Sequence, residues 1–244
     1  MRIAFISDIH GHAVALEAVL SDIQKQHVDQ IVCLGDVATI GCQPLQIIAR
    51  LHELNCPVIM GNHDAALLKP EKADFYQIAG PLMPTFHWCR DQLSTADLDF
   101  IGTFLPVLKI PLEDESAALC FHGSPKSNTD LIIDTTPMPE IQQLFAGYQA
   151  DIMIGGHSHI QMVRRYQSQW IVNPGSVGNA FGTPYVPGAL PALMPWAEYA
   201  ILDWQPEQMS FDCRRVLFDI PAYRQVVIES SIPNKEWWLA QYTE

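Results

Sequence analysis

Between Ile3 and Asp64 the chain repeats one pattern three times: a short apolar run, a polar loop, then a turn into apolar residues at helical spacing. Ile3 to Ile6 is followed by Leu16, Val19, Leu20 and Ile23 at i, i+3, i+4 and i+7, and Ile31 to Leu34 by Leu45, Ile48, Leu51 and Leu54. Val58 to Met60 then leads into Gly61. Parallel strands need a crossover long enough to hold a helix, so consecutive strand-then-helix units predict a parallel sheet with covering helices.

Each apolar run ends in polar residues: Asp8 and His10 after the first, Asp36 after the second, and Asn62, His63 and Asp64 after the third. The second half does the same, with Ala117 to Phe121 running into His122-Gly123, and Ile152 to Ile154 running into Gly155-Gly156-His157-Ser158-His159. In open α/β sheets ligands bind beyond the carboxyl ends of the strands, so these loops predict one functional rim. After residue 160 the segments Met162 to Tyr166, Trp170 to Val172, Tyr199 to Trp204 and Met209 to Val216 lack intervening helices and predict a second, more antiparallel sheet. Helices are expected after Pro221 and from Lys235 to Gln241. No Gly/Ser-rich linker and no internal repeat divides residues 1–244, which are expected to form a single domain.

Charge narrows the partners. With 27 acidic against 14 basic residues, the formal charge of -13 repels phosphate polymers and anionic headgroups, so neither a nucleic-acid polymer nor a membrane is expected as a partner. The uncharged stretch from Gln167 to Ala197 is broken by Pro174, Gly175, Pro184, Pro187, Gly188, Pro191 and Pro195 and makes no membrane helix. The apolar run Ile3 to Ile6 is too short for a signal-peptide core, and the six cysteines are scattered as reduced core residues, which together predict a cytoplasmic protein.

Five of the nine histidines, His10, His63, His122, His157 and His159, sit in the rim loops beside Asp8, Asp36 and Asn62. Imidazole with carboxylate suits divalent transition ions such as manganese, iron, nickel or zinc, and the set exceeds what one tetrahedral centre takes. Two divalent ions match the count. Singly, each residue has a plainer reading: Asp8 and Asp36 as helix caps, Gly35, Gly61, Gly123 and Gly156 as turn residues. His27, His52 and His87 have no acidic neighbours of this kind and read as structural or solvated.

Asp8-Ile9-His10, Gly35-Asp36, Gly61-Asn62-His63-Asp64, His122-Gly123 and Gly156-His157-Ser158-His159 resemble the five ordered motifs of the calcineurin-like metallophosphoesterase superfamily, over residues 1 to about 180. The small bacterial branch, with its phosphodiesterases and diadenosine-tetraphosphatase-like proteins, also shows a stretch similar to Asn173-Pro174-Gly175-Ser176. The resemblance implies a four-layer α/β/β/α sandwich of two mixed sheets flanked by helices. It implies that Asp8, His10 and His159 hold one ion, that Asn62, His122 and His157 hold the other, and that Asp36 bridges them. It further implies a small phosphodiester as substrate, attacked by a metal-bridging hydroxide, with His63 as general acid and Asn62 at the substrate phosphate. His12, where many relatives carry Asn, lies in the loop of Asp8 and His10 as a candidate for the phosphate or else a solvated loop residue.

Departures from relatives narrow this. Protein phosphatases of the superfamily carry Asp and Arg where Thr39 and Ile40 stand, and Glu where Asp64 stands, which argues against a protein substrate. An inserted loop, Phe181 to Trp196, offers Tyr185, Leu190, Met194 and Trp196 as an apolar wall for an organic group, or else as a packing or subunit contact. Alternatives remain a dinucleoside polyphosphate hydrolase, a phosphomonoesterase, or a non-catalytic scaffold like the similar retromer subunit, which lacks the acid histidine that His63 supplies here. Trp237 and Trp238 suit core packing or a homo-oligomer contact equally.

Overall fold

Burial alternates along the strands and thereby sets the layers. In β1 (Arg2–Ile6), Ala4 and Ile6 enter one apolar cluster while Ile3 and Phe5 enter another. In β4 (Ala117–Cys120) and β5 (Ile152–Ile154), Ala118, Cys120, Ile152 and Ile154 join Ile3 and Phe5, while Ala117, Leu119 and Met153 enter a third cluster. Successive strand residues point to opposite faces, so the shared cluster lies between two sheets and each outer cluster between a sheet and helices. The expected helix, sheet, sheet, helix sandwich follows. Truncating Phe5, fully buried between the sheets, is expected to cost about 3–5 kcal/mol.

The computed structural model describes residues 1–184, 192–205 and 208–242. One sheet runs β2 (Gln30–Cys33), β1, β8 (Ala197–Gln205), β9 (Gln208–Val216), with β1 parallel to β2 and antiparallel to β8. The other runs β3 (Leu108–Pro111), β4, β5, β7 (Gln169–Pro174), β6 (Gln161–Tyr166), parallel at β4, β5 and β7 and antiparallel at both edges. Both sheets are mixed. Contrary to the expectation from sequence, the two late hairpins do not build a second sheet of their own: β6–β7 extends one sheet and β8–β9 the other. Val58 to Met60 is not a third strand of the first sheet either, since Val58 bridges Cys33 and Ile59 bridges Leu105 only singly.

Over the first sheet lie α1 (Ala13–Lys25) and α2 (Pro44–Leu54), packing Leu16, Val19, Ile23, Ile47, Ile48 and Leu51. Leu45, expected on the buried face of α2, is exposed; Ile47 takes its place. The short α3 (Asn62–Leu68), then α4 (Met83–Gln92) and α5 (Thr95–Ile101), follow the Val58 bridge. On the far side α6 (Met138–Phe145) seats Ile141 and Phe145 on the second sheet. The tail helices α7 (Ile220–Glu229) and α8 (Lys235–Ala240) return to the first layer, where Trp238 is buried in the core rather than offered to another subunit. All cysteines are free thiols; Cys213, expected inside, is exposed on β9. Among the described residues no helix is long and apolar enough to cross a membrane.

Candidate metal centre

The loops beyond β1, β2 and β5 bend sharply, and they do so at their functional residues. Asp8 (φ 52°), His10 (φ 47°), Asp36 (φ 57°), His157 (φ 68°) and His159 (φ 59°) all occupy the left-handed region. Asp and His enter it more readily than most side chains, yet such residues persist only where their surroundings over-determine them. Those surroundings are hydrogen bonds between loops. Asp8 N donates to Gly35 O (2.9 Å), His10 N to Asp36 O (3.0 Å), and Gly156 N to His122 O (2.8 Å). Two glycines let the loops close: a Cβ on Gly61 would collide with the Asp36 carboxylate, and one on Gly156 with Ser7 Oγ and Asp8.

The side chains converge in two sets. Asp8, His10 and His159 offer ligand atoms within 4.8 Å of one another, and so do Asp36, His122 and His157. The sets abut, because His10 Nε2 lies 3.8 Å from Asp36 Oδ2 and His122 Nε2 lies 3.3 Å from it. Asn62 Oδ1 stands 3.1 Å from His122 Nε2, aimed there because its Nδ2 donates to Tyr76 O (2.8 Å). His122 Nδ1–H donates to Leu34 O (2.7 Å) and His159 Nδ1–H to Asn179 O (2.8 Å). A carbonyl only accepts, so both rings carry a proton on Nδ1 and turn Nε2 inward, the nitrogen with which an imidazole ligates.

The centre attracts positive charge. Asp8 Oδ1, fully buried, has no hydrogen-bond partner among the described residues, although His159 Nε2 is 3.2 Å away and His10 Nε2 3.9 Å. Burial opposes ionisation of Asp8 and Asp36, but the surrounding histidines, chiefly His159 for the first and His122 for the second, hold both below the usual carboxylate range. Burial also works against a charge on His122, yet Asp36 and Asp8 push it up to about 10. Burial keeps His10 and His157 neutral, His157 down at about 3. Ionised carboxylates, inward Nε2 atoms whose protons a cation would displace, and an orphaned carboxylate oxygen form a donor set that fits divalent cations, with Asp36 placed between the two sets.

His63 reaches the same cluster: its ring meets His10 edge to face (centroids 5.0 Å), and its buried Nδ1 has no hydrogen-bond partner among the described residues. His12 does not. A candidate for the substrate phosphate from sequence, it caps α1, accepting from Ala15 N at 3.1 Å, and its ring stacks on Tyr223 (4.0 Å) against Phe218, fully covered. His12 sits inside an aromatic cluster under α7, outside the two sets of clustered side chains.

Three residues named in the sequence reading have positioning roles that it did not give them. Asp64 accepts backbone bonds from Asp36, Val37 and Gly61; burial, then the Asp36 charge, raise its pKa to about 7. Ser176 Oγ donates to Asp8 O (2.7 Å). Phe181 stacks on His159 (4.4 Å, 28°). Phe181 belongs to the inserted loop, in which Tyr185 and Leu190 lie outside the described residues; Trp196 instead donates to Glu198 Oε1 (3.0 Å) beneath Arg215. Two surface clefts, of about 530 and 690 Å³, lie elsewhere and are lined by none of the clustered residues.

Comparison with known proteins agrees. The family model for the calcineurin-like phosphoesterase superfamily domain matches residues 1–190. An uncharacterised protein of Methanocaldococcus jannaschii is 26% identical over 98% of this chain and 96% of its own. Among solved structures, a metallophosphoesterase from Sphaerobacter thermophilus superposes with a TM-score of 0.72 at 24% identity, covering 99% of this chain and 98% of that one. A hypothetical protein from Pyrococcus horikoshii superposes with a TM-score of 0.80 at 18% identity, covering 98% and 97%.

Proposed function

The chain belongs to the calcineurin-like phosphoesterase superfamily, and from that premise we propose that it hydrolyses small phosphodiesters with two divalent cations, using His63 as the acid that protonates the leaving oxygen. The observation that carries the reading is the meeting of Asp8, His10, Asp36, Asn62, His122, His157 and His159 at one rim, beside an imidazole with a nitrogen unpartnered among the described residues. Asp8, His10 and His159 would hold one cation, Asn62, His122 and His157 the other, and Asp36 both. Bound there, the pair would supply neutralisation of phosphoryl oxygens and activation of a water near neutral pH.

The chain's own residues set the rest. Asp36 Oδ1 accepts the His63 amide (2.9 Å), so the acid and the shared carboxylate are fixed to one another. Burial lowers the His63 pKa, with Asp36 opposing. A phosphoester anion brought beside the ring favours its protonated form, so substrate itself equips His63 to give up a proton as the ester oxygen departs. The chain's net charge of -13 disfavours long polyanions and leaves small phosphoesters as the fitting class.

The deciding experiment supplies manganese, nickel or zinc to chelator-stripped protein and compares a dialkyl phosphodiester, a phosphomonoester and a dinucleoside tetraphosphate. The expected result is cation-dependent turnover with the diester fastest. Preference for either other substrate would reassign the substrate class, and turnover of none would remove the reading.

A further inference from the structure

Asp64 is the third residue of α3, and its acceptance of Gly61 N at 3.0 Å is an ordinary capping arrangement. That role explains one of its three bonds. The same Oδ2 also accepts Asp36 N at 2.7 Å, and Oδ1 accepts Val37 N at 3.0 Å, both from the loop beyond β2. The traffic runs the other way too, since Asp36 Oδ1 accepts His63 N at 2.9 Å. Two carboxylates thus tie two loops crosswise: Asp64 grips the backbone of Asp36, and Asp36 grips the backbone beside Asp64. Asp36 needs such a grip, because its backbone is left-handed and its neighbour Gly61 has no room for a side chain.

We propose that Asp64 is the positioning residue that builds the shared ligand: by holding the Asp36 backbone it aims Asp36 Oδ2 at both halves of the centre before any cation arrives. The inference rests on the two-cation reading given above. Its consequence is that Asp64 governs affinity at both equivalents together, although it is no ligand itself. Loss of a group that orients a ligand typically weakens cation binding about 10–100-fold.

Calorimetric titration of metal-stripped protein with manganese tests this in Asp64→Asn, which keeps size but replaces one accepting oxygen by a donor. Both equivalents are expected to weaken by about 10–100-fold, with recovery toward wild type in Asp64→Glu, which restores the carboxylate. Unchanged affinity at both, or weakening of one alone, would overturn the proposal. Should Asp64→Asn fail to fold, hydrogen exchange on metal-free wild-type protein decides. The Asp36, Val37 and Gly61 amides are expected to be protected before manganese is added, and free exchange of all three overturns it. Wild-type protein that takes up no manganese would instead sink the two-cation reading, so the two failures are distinguishable.

Discussion

The two halves of the centre use similar side chains and hold them differently. In the half formed by Asp8, His10 and His159, every residue is buried and His159 is fixed from two directions, by Asn179 O and by the face of Phe181. Asp8 Oδ2 is likewise held, by Ser7 Oγ (2.6 Å) and His157 N (3.0 Å). In the half formed by Asp36, Asn62, His122 and His157, two ligands are anchored on the carbonyls of Leu34 and Tyr76. His157, though, the one residue of the four that is not fully buried, makes no side-chain hydrogen bond among the described residues. An imidazole that no described protein group holds by its other nitrogen keeps rotational and tautomeric freedom, so a cation must supply the order that a carbonyl supplies elsewhere. The His157 half is therefore expected to hold its cation more weakly.

Asp36→Ala would break the comparison most completely, since both halves lose the residue they share. Elemental analysis is expected to show both cations depleted, and activity to fall by more than the roughly 100-fold upper range of an outer-shell loss; retention of one tight equivalent would mean that Asp36 serves only one half. His63→Ala leaves both halves intact and separates binding from chemistry. On a dialkyl diester kcat is expected to drop by about 100 to 10,000-fold with metal content unchanged, and far less on a nitrophenyl ester, whose leaving group needs no proton. Equal losses on the two esters would remove His63 as the acid.

His157→Ala sharpens the comparison itself. One equivalent is expected to weaken while the other keeps its affinity, and a chelator titration of wild-type protein should empty the same half first; simultaneous release would erase the distinction. The smallest effect lies away from the centre, where Asp22 of α1 accepts from Tyr199 Oη (2.7 Å) and Arg214 Nε (2.8 Å) of the β8–β9 hairpin. The Arg214 hydrogen bond lowers the Asp22 pKa from its ordinary 3.8. Stability from this pair is therefore fully present above that value and is lost as pH falls through the lowered one. Tyr199→Phe should cost about 1 kcal/mol in denaturant unfolding with no change in bound metal, and a change in metal content would show the halves coupled to the hairpin.

The clustered residues were legible in the sequence because each follows a short apolar run, and a strand's end is a fixed place in an α/β fold. What joins the loops was not. Asp64 looks like any acid in a first helical turn, and only the backbone of a loop 27 residues earlier in the chain, at Val37, reveals its other bonds. His12 misled for the converse reason: it shares a loop with two ligands, but its ring turns under α7, a contact with Tyr223 that no local pattern encodes. The hairpins read correctly as hairpins, while their division between sheets depends on β8 pairing with β1 and β7 with β5 across long stretches of chain. Val58 to Met60 has the apolar composition of a strand, yet it makes only single bridges, to Cys33 on one side and Leu105 on the other.

The most direct test is to titrate chelator-stripped protein with manganese while following phosphodiester hydrolysis and bound metal together. Two equivalents per chain should bind, with turnover rising as the weaker one fills. Stripped protein that hydrolyses the ester as fast as loaded protein would contradict the account.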